Sequence, residues 1–275
     1  MITAVVPARN EAERIPKVLA NLAELPLDAV ITVINGCQDR TLQVVRETRI
    51  PSLKVLLFRE PLGIDVPRAI GAKYSQELGA DAVLFVDGDM IGTPPERLAE
   101  LLSAVRDGCD VALTNCYPGA THRYAFANTV LEARHRLNEE LGLFPRLGLA
   151  SPAHGPHAVS RRFLTTVPLR ELAVPPVALV LAAQASLNID IGTTIPHLRL
   201  SSSVRDARHA KMVGDTLVGD SLEALCVLKG EQRWRRWEDR QYLGYHPFRR
   251  WDILEAVLSG QWPAGAKSAG TTGGN

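Results

Sequence analysis

Residues 82–90 read AVLFVDGDM, an apolar run that ends in two carboxylates one residue apart. The run is short and rich in β-branched and aromatic side chains, so it reads as a buried strand with Val83, Phe85 and Val86 inside. Asp87 and Asp89 then stand at its carboxyl end, either in an ordinary Asp-Gly turn or on the rim of a polar site. The rest of the chain decides between these.

Working outward, ITAVV at 2–6, VITVIN at 30–35, LKVLLF at 53–58 and DVALTN at 110–115 are runs of the same kind. Between them, apolar residues recur at helical spacing: Ile15, Val18, Leu19 and Leu22, then Val66, Ala69 and Ile70, then Leu98, Leu101, Leu102 and Val105. This alternation predicts an α/β sheet of parallel strands with helices on both faces. Ligands of open α/β sheets sit at the carboxyl ends of the strands, where PARNE (7–11), NGCQD (35–39) and DGDM (87–90) all fall.

Beyond residue 115 the pattern loosens. A helix is expected over 122–142, a loop, strand and helix over 151–164, a strand pair or a strand with a bend over 187–198, and a helix over 204–228. Residues 1–115 and 116–228 thus read as a regular and a looser half of one unit. An extension at 229–262 holds all four tryptophans, and Lys229 to Arg250 carries seven basic and three acidic residues. Its composition fits sugar stacking, a membrane interface with a lipid acceptor, or a helix pair that packs its tryptophans and leaves its arginines solvated, the last being the expected one. The tail 263–275 is expected to be disordered.

Composition narrows the function. The 275 residues carry a formal net charge of +1, so no overall field favours nucleic acid. Cys37, Cys109, Cys116 and Cys226 show no paired spacing and read as reduced thiols. The longest apolar run, LAVPPVALVLAA at 172–183, contains two prolines and falls short of the roughly 20 residues of a spanning helix. The start MITAVVPARN lacks the marks of a secretory leader, so a cytoplasmic location is expected.

Two carboxylates flanking Gly88 suit a hard divalent ion, which binds through carboxylates and substrate phosphates and would offset the charge of a departing diphosphate. The motifs around them carry a specific resemblance. Pro7, Asn10 and Glu11 match a first strand ending in Pro-x-x-Asn-Glu, and Asn35, Gly36, Asp39 and Thr41 match the turn after a second. GIDVPRAIGA at 63–72 matches a Gly-x-x-x-x-Arg stretch before a helix, and Asp87 and Asp89 match Asp-x-Asp. In this order and spacing the chain resembles the family 2 glycosyltransferases of the GT-A fold. That implies a Rossmann-like mixed sheet flanked by helices in one GT-A domain over 1–228, whose half at 1–115 would bind the nucleotide and whose half at 116–228 the acceptor, here with a helical C-terminal extension.

The resemblance also implies roles. Pro7, Ala8, Arg9, Asn10, Glu11, Asn35, Arg68, Asp87 and Gly88 would line the nucleotide-sugar pocket, Asn35 through its side-chain amide. Asp87 and Asp89 would hold Mg²⁺ or Mn²⁺, joined by His209 from the stretch SSSVRDARHAKMVGD at 201–215, where Arg205, Arg208 and Lys211 could also close over a diphosphate. Arg68 would meet the diphosphate or the sugar, or make a surface helix salt bridge.

Two features depart from the family pattern. Ile64 and Asp65 follow Gly63 where many relatives carry a basic residue, so Asp65 reads as a partner of a sugar hydroxyl or a cap for the next helix. The acidic pair that inverting relatives present in the second half is reduced to Glu171. The general base is then Glu171, His154 or His157, either histidine being equally readable as a buried structural one, or the enzyme is of a retaining type that needs no protein base.

The function expected is metal-dependent transfer from a nucleoside-diphosphate sugar, a UDP-sugar above others, to an acceptor that is a small molecule, a glycan or a lipid. Peripheral membrane contact and a homodimer stay open. A sugar-phosphate nucleotidylyltransferase is disfavoured because VVPARNEAERIPK at 5–17 has no glycine to cradle a triphosphate. A binding protein that has lost its chemistry is the rival from another class.

Overall fold

A computed structural model of the chain describes residues 1–50, 52–119, 129–201 and 206–267. One sheet holds β1 (Ile2–Ala8), β2 (Ala29–Asn35), β3 (Leu53–Phe58), β4 (Ala82–Phe85), β5 (Val111–Asn115), β6 (His157–Ser160) and β7 (Ile189–Thr194), in the order β3-β2-β1-β4-β6-β5-β7. Every pairing is parallel except those of β6, which runs against β4 and β5. Strand–helix alternation alone misses this. The segment joining β5 to β6 returns to the sheet at the same end of the strands that it left, which makes β6 antiparallel and sets His157 opposite Phe85.

The helices are α1 (Ile15–Ala23), α2 (Thr41–Glu47), α3 (Val66–Glu77), α4 (Pro95–Arg106), α5 (Thr129–Glu140), α6 (Phe144–Leu147), α7 (Arg161–Thr166), α8 (Pro175–Gln184), α9 (His197–Leu200), α10 (Ala207–Lys229) and α11 (Trp251–Leu258). Residues 122–128, the start of one expected helix, lie outside the described residues. Strand alternation divides the core between two faces. Ala4, Val6, Leu84 and Val86 pack with Ile15, Leu19, Val45, Leu98 and Leu101 of α1, α2 and α4. Val5, Val83 and Phe85 face Val66 and Ile70 of α3, Leu179 of α8 and Leu254 of α11. A third cluster joins α5, α8 and α10 through Leu137, Val177 and Leu222.

The C-terminal extension corrects two expectations. Instead of a helix pair it forms a ribbon of β8 (Arg236–Trp237) and β9 (Arg240–Gln241), a 3-10 turn at His246–Phe248 and the single helix α11. Gly230 and Gly244, at φ 68° and 48°, break the helical path. Trp251 lies under Arg170 at 4.4 Å and Trp262 packs edge-on against Tyr74 at 5.8 Å, as a packed extension requires. Arg235 and Arg249, however, are buried rather than solvated, at 6% and 3% exposure. Residues 263–267, expected in the disordered tail, are docked on the edge of β3, where the Leu57 N–H donates to the Ala266 carbonyl at 2.8 Å. Residues 268–275 lie outside the described part. No helix among the described residues is long and apolar enough to cross a membrane.

Candidate active site

The loops after β1 and β2 are zipped together. Asn10 takes a left-handed backbone at φ 58°, and its Oδ1 accepts from the Gln38 N–H at 2.8 Å. Asp39 accepts from the N–H groups of Thr41 (2.9 Å) and Ala12 (3.1 Å), and the Thr41 hydroxyl accepts from the Glu11 N–H at 2.8 Å. Glu11 is thereby buried and Arg9 left exposed above it. Asn35 is a staple. Its Nδ2 donates to the Gly63 carbonyl at 3.2 Å and its Oδ1 accepts from the Leu62 N–H at 2.6 Å, so the amide expected to face a nucleotide is engaged by backbone.

Strand β4 stops at Phe85. The N–H groups of Val86 and Gly88 donate to the carbonyls of Val5 (3.1 Å) and Pro7 (2.9 Å), holding the chain against β1. The Met90 N–H then bonds the Asp87 carbonyl at 3.1 Å, so Asp87 and Asp89 are presented by a turn rather than by strand periodicity. A Cβ at position 88 would come within 3.0 Å of the Pro7 carbonyl oxygen, which is why glycine separates the two acids.

Arg68, in the first turn of α3, joins this mouth to the interior. Its Nη2 donates to both oxygens of Asp87 at 2.6 Å, and its Nη1 donates to Asp65. It is neither a surface ion pair nor free to meet a ligand without turning. Asp65 makes no side-chain cap to α3, correcting that expectation; its backbone is left-handed at φ 63° and its carboxylate points to Arg68 and Arg249.

The ion pairs continue inward. Arg249 forks onto Asp220 of α10 at 2.7 and 2.8 Å and reaches Asp65 at 3.4 Å. Arg235 donates to Asp220 at 2.7 Å and to Glu223 at 2.5 Å. Asp87, Arg68, Asp65, Arg249, Asp220, Arg235 and Glu223 thus form one row of alternating charge from the strand mouth into the C-terminal extension. Asp220, Glu223 and His246 are the one acidic or histidine triad among the described residues with ligand atoms within 4.8 Å of each other. Two guanidinium groups already fill it, and both donate to His246 Nδ1, at 3.1 and 3.0 Å, so that imidazole is neutral.

Burial drives the electrostatics. It pushes the Asp87 carboxyl above the usual range, against the pull of Arg68 and with help from the nearby Asp89 charge. Burial likewise lifts Asp65 to about 6 despite Arg68 and Arg249. Burial opposes the charge on Arg68 but is outweighed by Asp87 and Asp65, so its pKa rises.

The candidate bases separate. Glu171 lies in a 3-10 turn (Leu169–Ala173) before α8, where Arg233 clamps both its oxygens at 2.9 Å and Arg170 stands 3.6 Å away. His157 stacks on Phe85 at 4.9 Å, and burial, with Arg68 nearby, brings its pKa down to about 3. His154 Nε2 meets His197 Nδ1 at 3.0 Å, and burial, Arg134, His197 and Arg68 hold it neutral, well below the usual histidine range. His209 bonds the Tyr245 hydroxyl at 2.7 Å through Nδ1 and is not gathered with Asp87 and Asp89 into a ligand cluster. Arg205 lies outside the described residues.

Sequence reasoning missed Asp220, Arg249 and Arg134. The signal for Asp220 was there: two acids, Asp220 and Glu223, in the otherwise apolar stretch LVGDSLEALCVL at 217–228 need buried partners, and an arginine-rich segment follows.

A seven-stranded mixed α/β sheet with one antiparallel strand and paired acids at the mouth of its central strands defines a GT-A-like fold. The chain belongs to glycosyl transferase family 2, whose profile matches residues 3–166. It is 32% identical over 108 residues to an uncharacterized protein of Methanocaldococcus jannaschii, a match covering 38% of this chain and 46% of that one, under half the relative's length. Among solved structures it is similar to glucosyl-3-phosphoglycerate synthase of Mycobacterium tuberculosis with Mn²⁺, UDP and phosphoglyceric acid, at TM-score 0.61 and 18% identity over 84% of this chain and 79% of that one. The same enzyme with Mn²⁺, UDP-glucose and phosphoglyceric acid gives 0.59 and 17% over 84% and 80%, and with Mg²⁺ and UDP 0.59 and 19% over 84% and 80%. At these identities the likeness is one of fold.

Proposed function

We propose that this protein transfers a sugar from a nucleoside-diphosphate sugar, UDP-glucose being the first donor to try, to an acceptor bound beside it. The observation that carries the reading is the Asp87/Asp89 pair at the mouth of β4, facing Arg68 in a chain of this family. The donor set fits Mg²⁺ or Mn²⁺: the two carboxylates are close enough to repel, and Asp87 keeps 27% of its side chain exposed. Asp87 and Asp89 would hold the ion, which when bound supplies positive charge to the leaving diphosphate. Arg68 is the protein's own cation there, and turning from Asp87 would present its guanidinium to phosphate oxygens.

The zipped loops 8–12 and 36–41 frame the nucleotide side, with Arg9 exposed and Glu11 buried. His154, neutral and only part buried, could take a proton from an acceptor hydroxyl, whereas Glu171 is engaged by two guanidinium groups. Calorimetric titration with UDP, GDP and ADP, each with and without Mn²⁺, is the test. Binding of one nucleotide only with metal supports the reading, and no binding of any of them removes it.

A further inference from the structure

Arg134 on α5 is 3% exposed, and its Nη1 has no hydrogen-bond partner. The other deeply buried arginines, Arg68, Arg235 and Arg249, are each paired with carboxylates. For Arg134 the titratable neighbours are Tyr117 and Cys116, and no carboxylate acts on its charge. All 30 Asp and Glu side chains of the sequence lie in the described part, so none is left to neutralise it from elsewhere. A buried guanidinium without a counter-charge is strongly unfavourable, and its planar fork matches the oxygens of a carboxylate or phosphate.

The surroundings fit such a ligand. Tyr117 follows β5, His197 opens α9 just past β7, and His154 lies in the loop entering the antiparallel β6, so the topology brings all three to the carboxyl end of the parallel strands, where Asp87 also lies. Tyr117 stacks on His154 at 5.5 Å and on His197 at 5.7 Å, and the two imidazoles touch at 3.0 Å. His197 is exposed and gives a way in from solvent. Both Arg134 and Arg68 act on His154, which places the pocket beside the proposed donor site. With both imidazoles neutral, the charge offered here is that of the guanidinium.

We infer that Arg134, with Tyr117, His154 and His197, seats an oxyanion, a phosphate monoester or a carboxylate, borne by the acceptor. This rests on the glycosyltransferase reading above, and names the chemical class of its acceptor.

The test is calorimetric titration of the full chain with inorganic phosphate and, separately, with acetate, first alone and then with UDP and Mg²⁺ present. The expected result is binding of one of these anions that survives saturation with UDP, so that the donor's diphosphate site is not its seat. Arg134→Met should weaken it about tenfold to a hundredfold, as loss of a charge-assisted contact does, and Arg134→Lys should restore part of it. Which anion binds distinguishes phosphate from carboxylate. Anion affinity equal in wild type and Arg134→Met overturns the inference, as does a protein that binds UDP with Mg²⁺ but neither anion, an outcome that leaves the donor site standing. Failure of UDP to bind, with phosphate still held through Arg134, would instead remove the donor reading and keep the anion seat. Should Arg134→Met not fold, Arg134→Lys and the surface variant His197→Ala carry the comparison, and unchanged phosphate affinity in both overturns it.

Discussion

A single nitrogen of Arg68 lies 2.6 Å from each carboxylate oxygen of Asp87, so the acid expected to meet the metal is already held by the protein's own cation. Asp65 and Asp87 face this guanidinium from two sides. Arg68→Met would leave Asp65 buried with only the longer Arg249 contact and Asp87 part buried without a cation, and breaking a buried pair costs about 3–5 kcal/mol. Urea unfolding followed by circular dichroism measures the loss. A change below about 1 kcal/mol would mean the row of charges does not depend on Arg68.

Asp89 sits in the turn beyond β4 and is only part buried, so its removal should spare the fold. Asp89→Ala is expected to abolish donor turnover and most metal-dependent UDP binding while leaving the melting temperature within a few degrees. Full activity in this variant would refute the metal assignment.

Glu171→Gln should change stability more than chemistry. The ion pair with Arg233 is partly solvated on the arginine side, so about 1 kcal/mol is expected, with the pH profile of turnover unmoved. A tenfold fall in kcat with the acidic limb of that profile erased would restore Glu171 as the base.

Gly63 packs against the extension: a Cβ there would come 2.6 Å from the Phe248 carbonyl oxygen, and its φ of 89° is unfavourable for any other residue. Gly63→Ala should cost about 1–3 kcal/mol through overpacking and backbone strain. It should also weaken nucleotide binding, since the Gly63 carbonyl is held by Asn35. Thermal unfolding and UDP titration of the variant measure the two effects separately.

Acid should destabilise the fold through His157. Its folded pKa of about 3 lies below the ordinary histidine value of 6.5, so the unfolded chain takes up the proton first and stability falls as pH drops from 6.5 towards 3. At pH 5 this amounts to about 2 kcal/mol. Asp65 works in the opposite direction: its folded pKa is raised from 3.8 to about 6, so its contribution is greatest at low pH and is lost as pH rises through about 6. Comparing urea unfolding of wild type and His157→Gln at pH 7.5 and pH 5 isolates the histidine. Equal pH dependence in the two would show that His157 is not buried neutral.

Much of the first half was legible because its physics is local. Strand runs and helical spacing located β1 to β5 with α1, α3 and α4 to within a few residues, though not the short α2, and the resemblance carried in Pro7, Asn10, Asn35 and Asp87 led to the family that residues 3–166 match. What stayed hidden depends on distant parts of the chain meeting. Nothing near Asp65 announces Arg249, 184 residues away, and nothing near Asn35 announces that the Leu62 and Gly63 backbone will engage both ends of its amide. The direction of β6 is likewise a matter of where its connection returns. The turn at Asp87 was also hidden, because β4 ends at Phe85, one residue before its apolar run does.

The row of charges bears on how this enzyme could be divided. The family profile stops at residue 166, yet the acid at the strand mouth is braced through Arg68 and Asp65 by Arg249, from the far end of the chain. A chimera that kept only the profile-matched region and borrowed its remainder from a relative would inherit Asp65 and Arg68 without their counterweight. Recombination in this protein therefore has no clean seam between the profile-matched region and the extension, and the two would have to change together.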